Sequence, residues 1–147
     1  MKRKIVVARE VGRIMPGIAR AIVVGFSQHI DLTPAQLFTL LAIAENGKCC
    51  FSELSQMMFV SAPTTTGIVD RLQRGGYVKR VPSKEDRRVI NICLTLKGVK
   101  VAKFVQDSVV KHWEIILDKL SLADCEHYLK IIKKIKAHVD KGPGHFK

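Results

Sequence analysis

The chain has 147 residues, about one domain, with 47% hydrophobic side chains; at this length folding buries on the order of 70% of the unfolded surface, so a core forms without disulfide staples. Lys and Arg number 25 against 13 Asp and Glu, a net charge of +12 that points to a polyanionic partner, either nucleic acid or an anionic membrane surface. Several classes are excluded: apolar runs such as 37–44 are far shorter than the roughly 20 residues of a membrane span, and 6% aromatic content is thin for a surface that stacks single-stranded bases.

The first residues, Lys2-Arg3-Lys4 and then Ile5-Val6-Val7-Ala8, resemble the start of a signal peptide. Arg9, Glu10 and Arg13 cut the apolar stretch to four residues, below the roughly 7–15 that such a peptide needs. The four cysteines, Cys49, Cys50, Cys93 and Cys125, have no CxxC pairing. A reduced, cytoplasmic location is therefore expected, with no membrane association.

Apolar residues at spacings of three and four from Val7 to Phe26, with Arg9, Arg13 and Arg20 between them, predict a first helix. Pro16 is expected to kink or interrupt it. The second helix has the clearest start: Thr33 as cap, Pro34 in the first turn and Gln36 completing a capping box. It is expected to stop at Asn46-Gly47. A short third helix follows, with Ser52 as its expected cap and Leu54, Met57 and Met58 along it. The fourth begins at Ser61 and ends at Arg74-Gly75-Gly76, with Ile68, Val69 and Leu72 on its buried side.

The period then changes. Residues 77–81 and 88–94 are β-branched runs around a polar loop, 82–87, which predicts a β-hairpin with Ile90, Ile92 and Leu94 on one face and Cys93 on the other. Thr95 caps a long fifth helix, and Ser121 and Asp124 start a sixth.

The predicted fold is mainly α with a small β-hairpin wing: a winged helix-turn-helix module flanked by long dimerisation helices. One small module cannot cover the apolar stripes of both outer helices, whereas a second subunit can. The expected division is an N-terminal dimerisation helix over 1–31, the winged module over 32–98, C-terminal dimerisation helices over 99–141 and a flexible tail over 142–147, all within one intertwined domain.

The fourth helix presents small polar residues at its N-terminal end and cations at its C-terminal end. That is the arrangement a helix needs to meet base edges first and phosphates later. Taken alone it also describes any solvent-facing helix. The hairpin loop adds Lys79, Arg80, Lys84, Arg87 and Arg88 against Glu85 and Asp86. An arginine at a protruding tip suits the negative potential of a minor groove. Asp86 is expected to hold an arginine in place through a carboxylate–guanidinium bond. A solvated turn is the plainer reading of the loop alone; helix and loop in this order are more specific than either.

These residues resemble the MarR (multiple antibiotic resistance regulator) family of transcription factors. The resemblance runs through Leu32-Thr33-Pro34-Ala35-Gln36, Ser52-Glu53-Leu54-Ser55, Ser61-Ala62-Pro63-Thr64 and Asp70-Arg71-Leu72. It continues through Gly76-Tyr77-Val78-Lys79-Arg80, Asp86-Arg87-Arg88 and Leu94-Thr95-Leu96-Lys97-Gly98. It implies a sequence-specific, ligand-responsive repressor that binds a pseudo-palindromic double-stranded DNA operator as a homodimer. It places Ala62, Pro63, Thr64, Thr66, Gly67 and Arg71 near the major groove and Arg87 and Arg88 on the wing. Arg74, at the basic end of the fourth helix, is a further DNA-binding candidate, and Asp86 is expected to position the wing. Gly67 departs from the longer polar residue that relatives often carry, and a mid-helix glycine costs roughly 1 kcal/mol relative to alanine. Either base reading is reduced there or the backbone approaches DNA more closely.

The resemblance further implies a small aromatic or phenolic effector. Cys93, Cys49 and Cys50 are the candidates for a redox-responsive regulator, although Cys49 and Cys50 are expected to be packed and unreactive. No cofactor is expected, and His29 with His112 is too sparse a pair for a metal site. No nucleophile motif, phosphate loop or carboxylate pair suggests an enzyme. A non-specific architectural or RNA-associated basic protein is the alternative. The charge surplus is even enough for that: four over 1–31, three over 32–95 and five over 96–147.

Overall fold

The computed structural model of the protein describes residues 2–27 and 30–139. In chain order these form α1 (Lys2–Ser27), α2 (Pro34–Asn46), β1 (Lys48–Cys50), α3 (Phe51–Met58) and α4 (Ala62–Arg74), followed by β2 (Val78–Pro82), β3 (Ile90–Leu94), α5 (Leu96–Leu117) and α6 (Leu122–Val139). The three strands form one antiparallel sheet in the order β1-β3-β2.

Local chemistry starts and stops the central helices. Thr33 Oγ1 accepts from the Gln36 N–H while Gln36 Oε1 accepts from the Thr33 N–H, the two halves of the capping box. Gly47, at φ 76°, takes the left-handed turn after α2. Ser61 Oγ accepts from the Thr64 N–H to open α4, where Pro63 needs no donor.

The core lies in the winged module. Leu40 and Ile43 of α2, Leu54 of α3, Ile68, Val69 and Leu72 of α4, Val78 of β2 and Ile92 of β3 close around each other, joined by Cys49 and by Ala102 of α5. On β3, Ile92 faces this cluster with Ile90 and Leu94 packed against it, as the hairpin's alternation predicts.

Four details depart from the sequence expectations. Pro16 lies inside α1 without interrupting it. The carbonyl it leaves unpaired belongs to Gly12, which is exposed, so water can take the bond that the missing N–H would have made. Cys50, not Ser52, occupies the cap position of α3, and its N–H donates to Glu53 Oε2 at 2.7 Å. The hairpin strand expected to start at Arg88 starts at Ile90, because residues 83–89 fold onto themselves as a turn. Finally, β1 pairs with β3 through Lys48↔Cys93, Cys49↔Ile92 and Cys50↔Asn91. Cys93 therefore stands in a central strand, partly buried, and not on the open outer face of a two-stranded wing.

By its contacts the chain divides into a unit ending at Ser108 and a second starting at Val109. In the first, α1 leaves Ile5, Val6, Val7, Val11 and Ile14 in solvent, each at least half exposed. In the second, Trp113 and Tyr128 stack with ring centres 5.6 Å apart, and the Ser121 side chain caps α6. No residue of α6 is buried within the chain, and Leu122, Leu129, Ile131 and Ile135 stand exposed. Among the described residues no helix is long and apolar enough to cross a membrane. His29 and residues 142–147 lie outside the described residues.

Candidate nucleic-acid interface

α3 and α4 form the helix-turn-helix, and a polar contact inside it fixes their relation. Ser55 Oγ and Thr65 Oγ1 share a hydrogen bond of 2.8 Å in which one hydroxyl donates to the other, and the accepting hydroxyl keeps its own proton for the carbonyl one turn back, Phe51 for Ser55 or Ser61 for Thr65. Thr65 is 1% exposed, so this satisfied pair stands at the crossing of the two helices. The turn between them passes through Phe59 in a left-handed conformation, φ 52°.

With Thr65, Ile68, Val69 and Leu72 turned inward, the opposite face of α4 is set. Ala62, Pro63, Thr64, Thr66, Arg71 and Arg74 are exposed. The two threonine hydroxyls are already engaged at the helix start: Thr64 Oγ1 with Ser61 Oγ at 2.8 Å, and Thr66 Oγ1 donating to the Ala62 carbonyl at 3.0 Å. A threonine methyl and hydroxyl oxygen suit a thymine methyl and a base-edge donor. A Cβ built on Gly67 would meet nothing within 4 Å, so no packing inside the chain requires the glycine. Arg71 and Arg74 stand in the last turn, where cations also complement the helix dipole.

The wing tip is tied by its own backbone. The Ser83 N–H donates to the Val89 carbonyl and the Val89 N–H to the Asp86 carbonyl. Asp86 does position an arginine, though not through the guanidinium: its Oδ1 accepts from the backbone N–H of Arg88 at 2.9 Å. A carboxylate two residues before an N–H closes this turn locally, and that competes well with a long flexible side chain. The side chains of Lys84, Arg87 and Arg88 are thereby left exposed, with no carboxylate partner among the described residues.

Arg80 differs from the other wing cations. Its Nη2 donates to Asp70 Oδ1 of α4 at 2.6 Å.

The motif Leu94-Thr95-Leu96-Lys97-Gly98 acquires a role that its sequence did not disclose. Thr95 Oγ1 donates to the Gly76 carbonyl at 2.6 Å and accepts from the Gly98 N–H at 3.1 Å. Lys97 Nζ donates to the Gly75 carbonyl at 2.7 Å and lies 4.2 Å from the centre of the Tyr77 ring. A Cβ on Gly98 would fall 2.1 Å from the Tyr77 carbonyl oxygen. The first turn of α5 thus grips the turn that ends α4. Opposite ends of the hairpin meet here, which no short-range spacing in the sequence reveals.

The cysteines divide by environment. Cys49 is 1% exposed, and burial, aided by the negative charge of Glu53, pushes its thiol up to about 11. Glu53 moves the other way: the Cys50 N–H holds its carboxyl below the ordinary value. Cys50 and Cys93 are partly buried. Cys93 stands opposite Lys48 on one neighbouring strand and Lys79 on the other.

A MarR family profile matches residues 30–89 of the chain. The Escherichia coli HTH-type transcriptional regulator PrsX is 34% identical over 116 residues, covering 79% of this chain and 68% of that protein. The chain belongs to the MarR family. Among solved structures, a MarR family protein from Bacillus stearothermophilus superposes with a TM-score of 0.86 at 23% identity, covering 95% of this chain and 98% of that one. Streptococcus pneumoniae FabT, solved in complex with DNA, superposes with a TM-score of 0.78 at 21% identity over 92% of this chain and 98% of its own. The chain spans 58%, 45% and 63% of the length of three other curated relatives that it matches. MarR proteins are transcriptional regulators with a winged-helix DNA-binding fold, not enzymes. The three-stranded sheet and helix-turn-helix described above are that fold in this chain.

Proposed function

We propose that this MarR protein is a cytoplasmic, ligand-responsive repressor that binds a pseudo-palindromic DNA duplex as a homodimer. The observation that carries the DNA reading is the pairing of two exposed features. One is the face of α4 bearing Ala62, Pro63, Thr64, Thr66, Gly67, Arg71 and Arg74. The other is a wing tip whose backbone is closed by Asp86 so that Arg87 and Arg88 point into solvent. A helix of this kind enters the major groove while a protruding arginine reaches the adjacent minor groove. The structure of FabT in complex with DNA supports the same use of the fold.

The homodimer rests on area left in solvent. The apolar residues of α1 and α6 are exposed within one chain, and a two-fold partner burying both faces supplies the cover that a soluble regulator needs. Residues 1–31 and 99–141 are then the dimerisation segments and 32–98 the DNA-binding module. A small aromatic or phenolic effector follows from the family resemblance alone.

The wing is tested by Arg87→Ala and Arg88→Ala. Each is expected to weaken binding to the duplex upstream of the protein's own coding sequence and to lower the salt slope by about one. Each variant should still sediment as a dimer. Undiminished affinity removes the wing from the interface, and a monomer in the unmodified protein contradicts the homodimer.

A further inference from the structure

Arg80, unlike Lys84, Arg87 and Arg88, turns its side chain back onto the module. On β2 it stands opposite Ile92 of β3, whose side chain is fully buried, so the strand position is fixed by the core. From there its guanidinium reaches two other elements. It is bound to Asp70 of α4 at 2.6 Å, and its Cζ lies 5.2 Å from the centre of the Phe51 ring at the start of α3. One planar group therefore joins the wing strand, the recognition helix and the first helix of the helix-turn-helix. A charge-assisted bond and a ring face together restrict it more than either would alone.

The partner matters as much as the geometry. Asp70 lies on α4 between the buried face and the cationic end, and with Gln73 and Arg74 it lines an open groove. A bare carboxylate there repels phosphate from the same helix that Arg71 and Arg74 equip to attract it. Side chains that are 36% and 46% exposed add little to stability as a pair. The pairing therefore has its main effect on the interface and not on the fold.

We propose that Arg80 is a positioning residue of the DNA interface: it holds the wing against the recognition helix and masks the carboxylate of Asp70, and it does not itself contact DNA. This rests on the DNA-binding reading above. It separates Arg80 from Arg87 and Arg88, with which it shares charge and hairpin.

The test is a double-mutant cycle in the full chain with R80A, D70A and the D70A/R80A pair. Each protein is titrated against the upstream duplex and a random duplex of equal length, with melting temperatures confirming the fold. R80A is expected to weaken upstream binding about tenfold, and to reduce the preference over random duplex. In the D70A background the same substitution is expected to cost no more than about threefold, since without Asp70 the arginine neither masks a carboxylate nor ties the wing to α4. An Arg80 that contacted phosphate would cost the same factor with and without Asp70. That additive result, or an R80A variant that binds like the unmodified protein, overturns the proposal. An unmodified protein with no preference for the upstream duplex overturns the sequence-specific reading, and the proposal with it.

Discussion

Cys49 and Glu53 stand four residues apart at the β1–α3 junction, and their surroundings push their protons in opposite directions. Cys49 is sealed in the core cluster, where a thiolate has no water and faces the Glu53 carboxylate; its thiol holds its proton up to about 11. Glu53 is exposed and receives the Cys50 N–H, so it stays ionised to lower pH than usual. The sign for stability follows. A thiol whose folded value is raised contributes stability that is complete below its unfolded value near 9.0 and is lost as pH rises toward about 11. Unfolding midpoints should therefore fall over that window in the unmodified protein, and fall less in Cys49→Ala. At pH 8 an alkylating reagent should label Cys50 and Cys93 in the folded protein well before Cys49. Equal labelling rates would show that Cys49 is not sealed.

At the scale of elements, the grip of α5 on the α4–β2 turn explains the Thr-x-x-Gly spacing physically. The threonine hydroxyl caps α5 and simultaneously binds the Gly76 carbonyl, and only a residue without Cβ lets the Tyr77 carbonyl pass at position 98. Gly98→Ala is expected to destabilise the chain by about 1–3 kcal/mol through overpacking against backbone. The measurement is a lowered urea midpoint at unchanged slope; a midpoint within error of the unmodified protein means that the turn has room to move.

The same elements show where sequence reading works. Helices α2 and α4 are legible because Thr33, Pro34 and Gln36, and Ser61 and Pro63, act within one turn of chain. Strand β1 is not, since three residues carry no period and its partner β3 lies far along the chain. For the same reason the exposed face of α4 follows from its wheel, whereas the Arg80–Asp70 bond and the Lys97–Gly75 contact depend on how the hairpin folds back. At α3 the chemistry favours a different cap: a serine such as Ser52 is a good cap in general, but here Glu53 binds the Cys50 N–H and the helix starts two residues earlier.

At the scale of the molecule, two totals need a partner. In the proposed homodimer the net charge of +12 would become +24, and the exposed apolar residues of α1 and α6 would form its interior. Charge supplies attraction to any duplex and fades with salt. Residues 32–95 carry a surplus of only three, so the recognition proposed above would depend on a few placed groups: the threonine-bearing start of α4, its two terminal arginines and the wing tip. The most direct measurement is equilibrium competition at physiological salt between the duplex upstream of the protein's own coding sequence and random duplex. A preference of about a thousandfold or more is predicted for a sequence-specific regulator; equal affinity for both would make the protein a non-specific basic DNA binder and contradict the account.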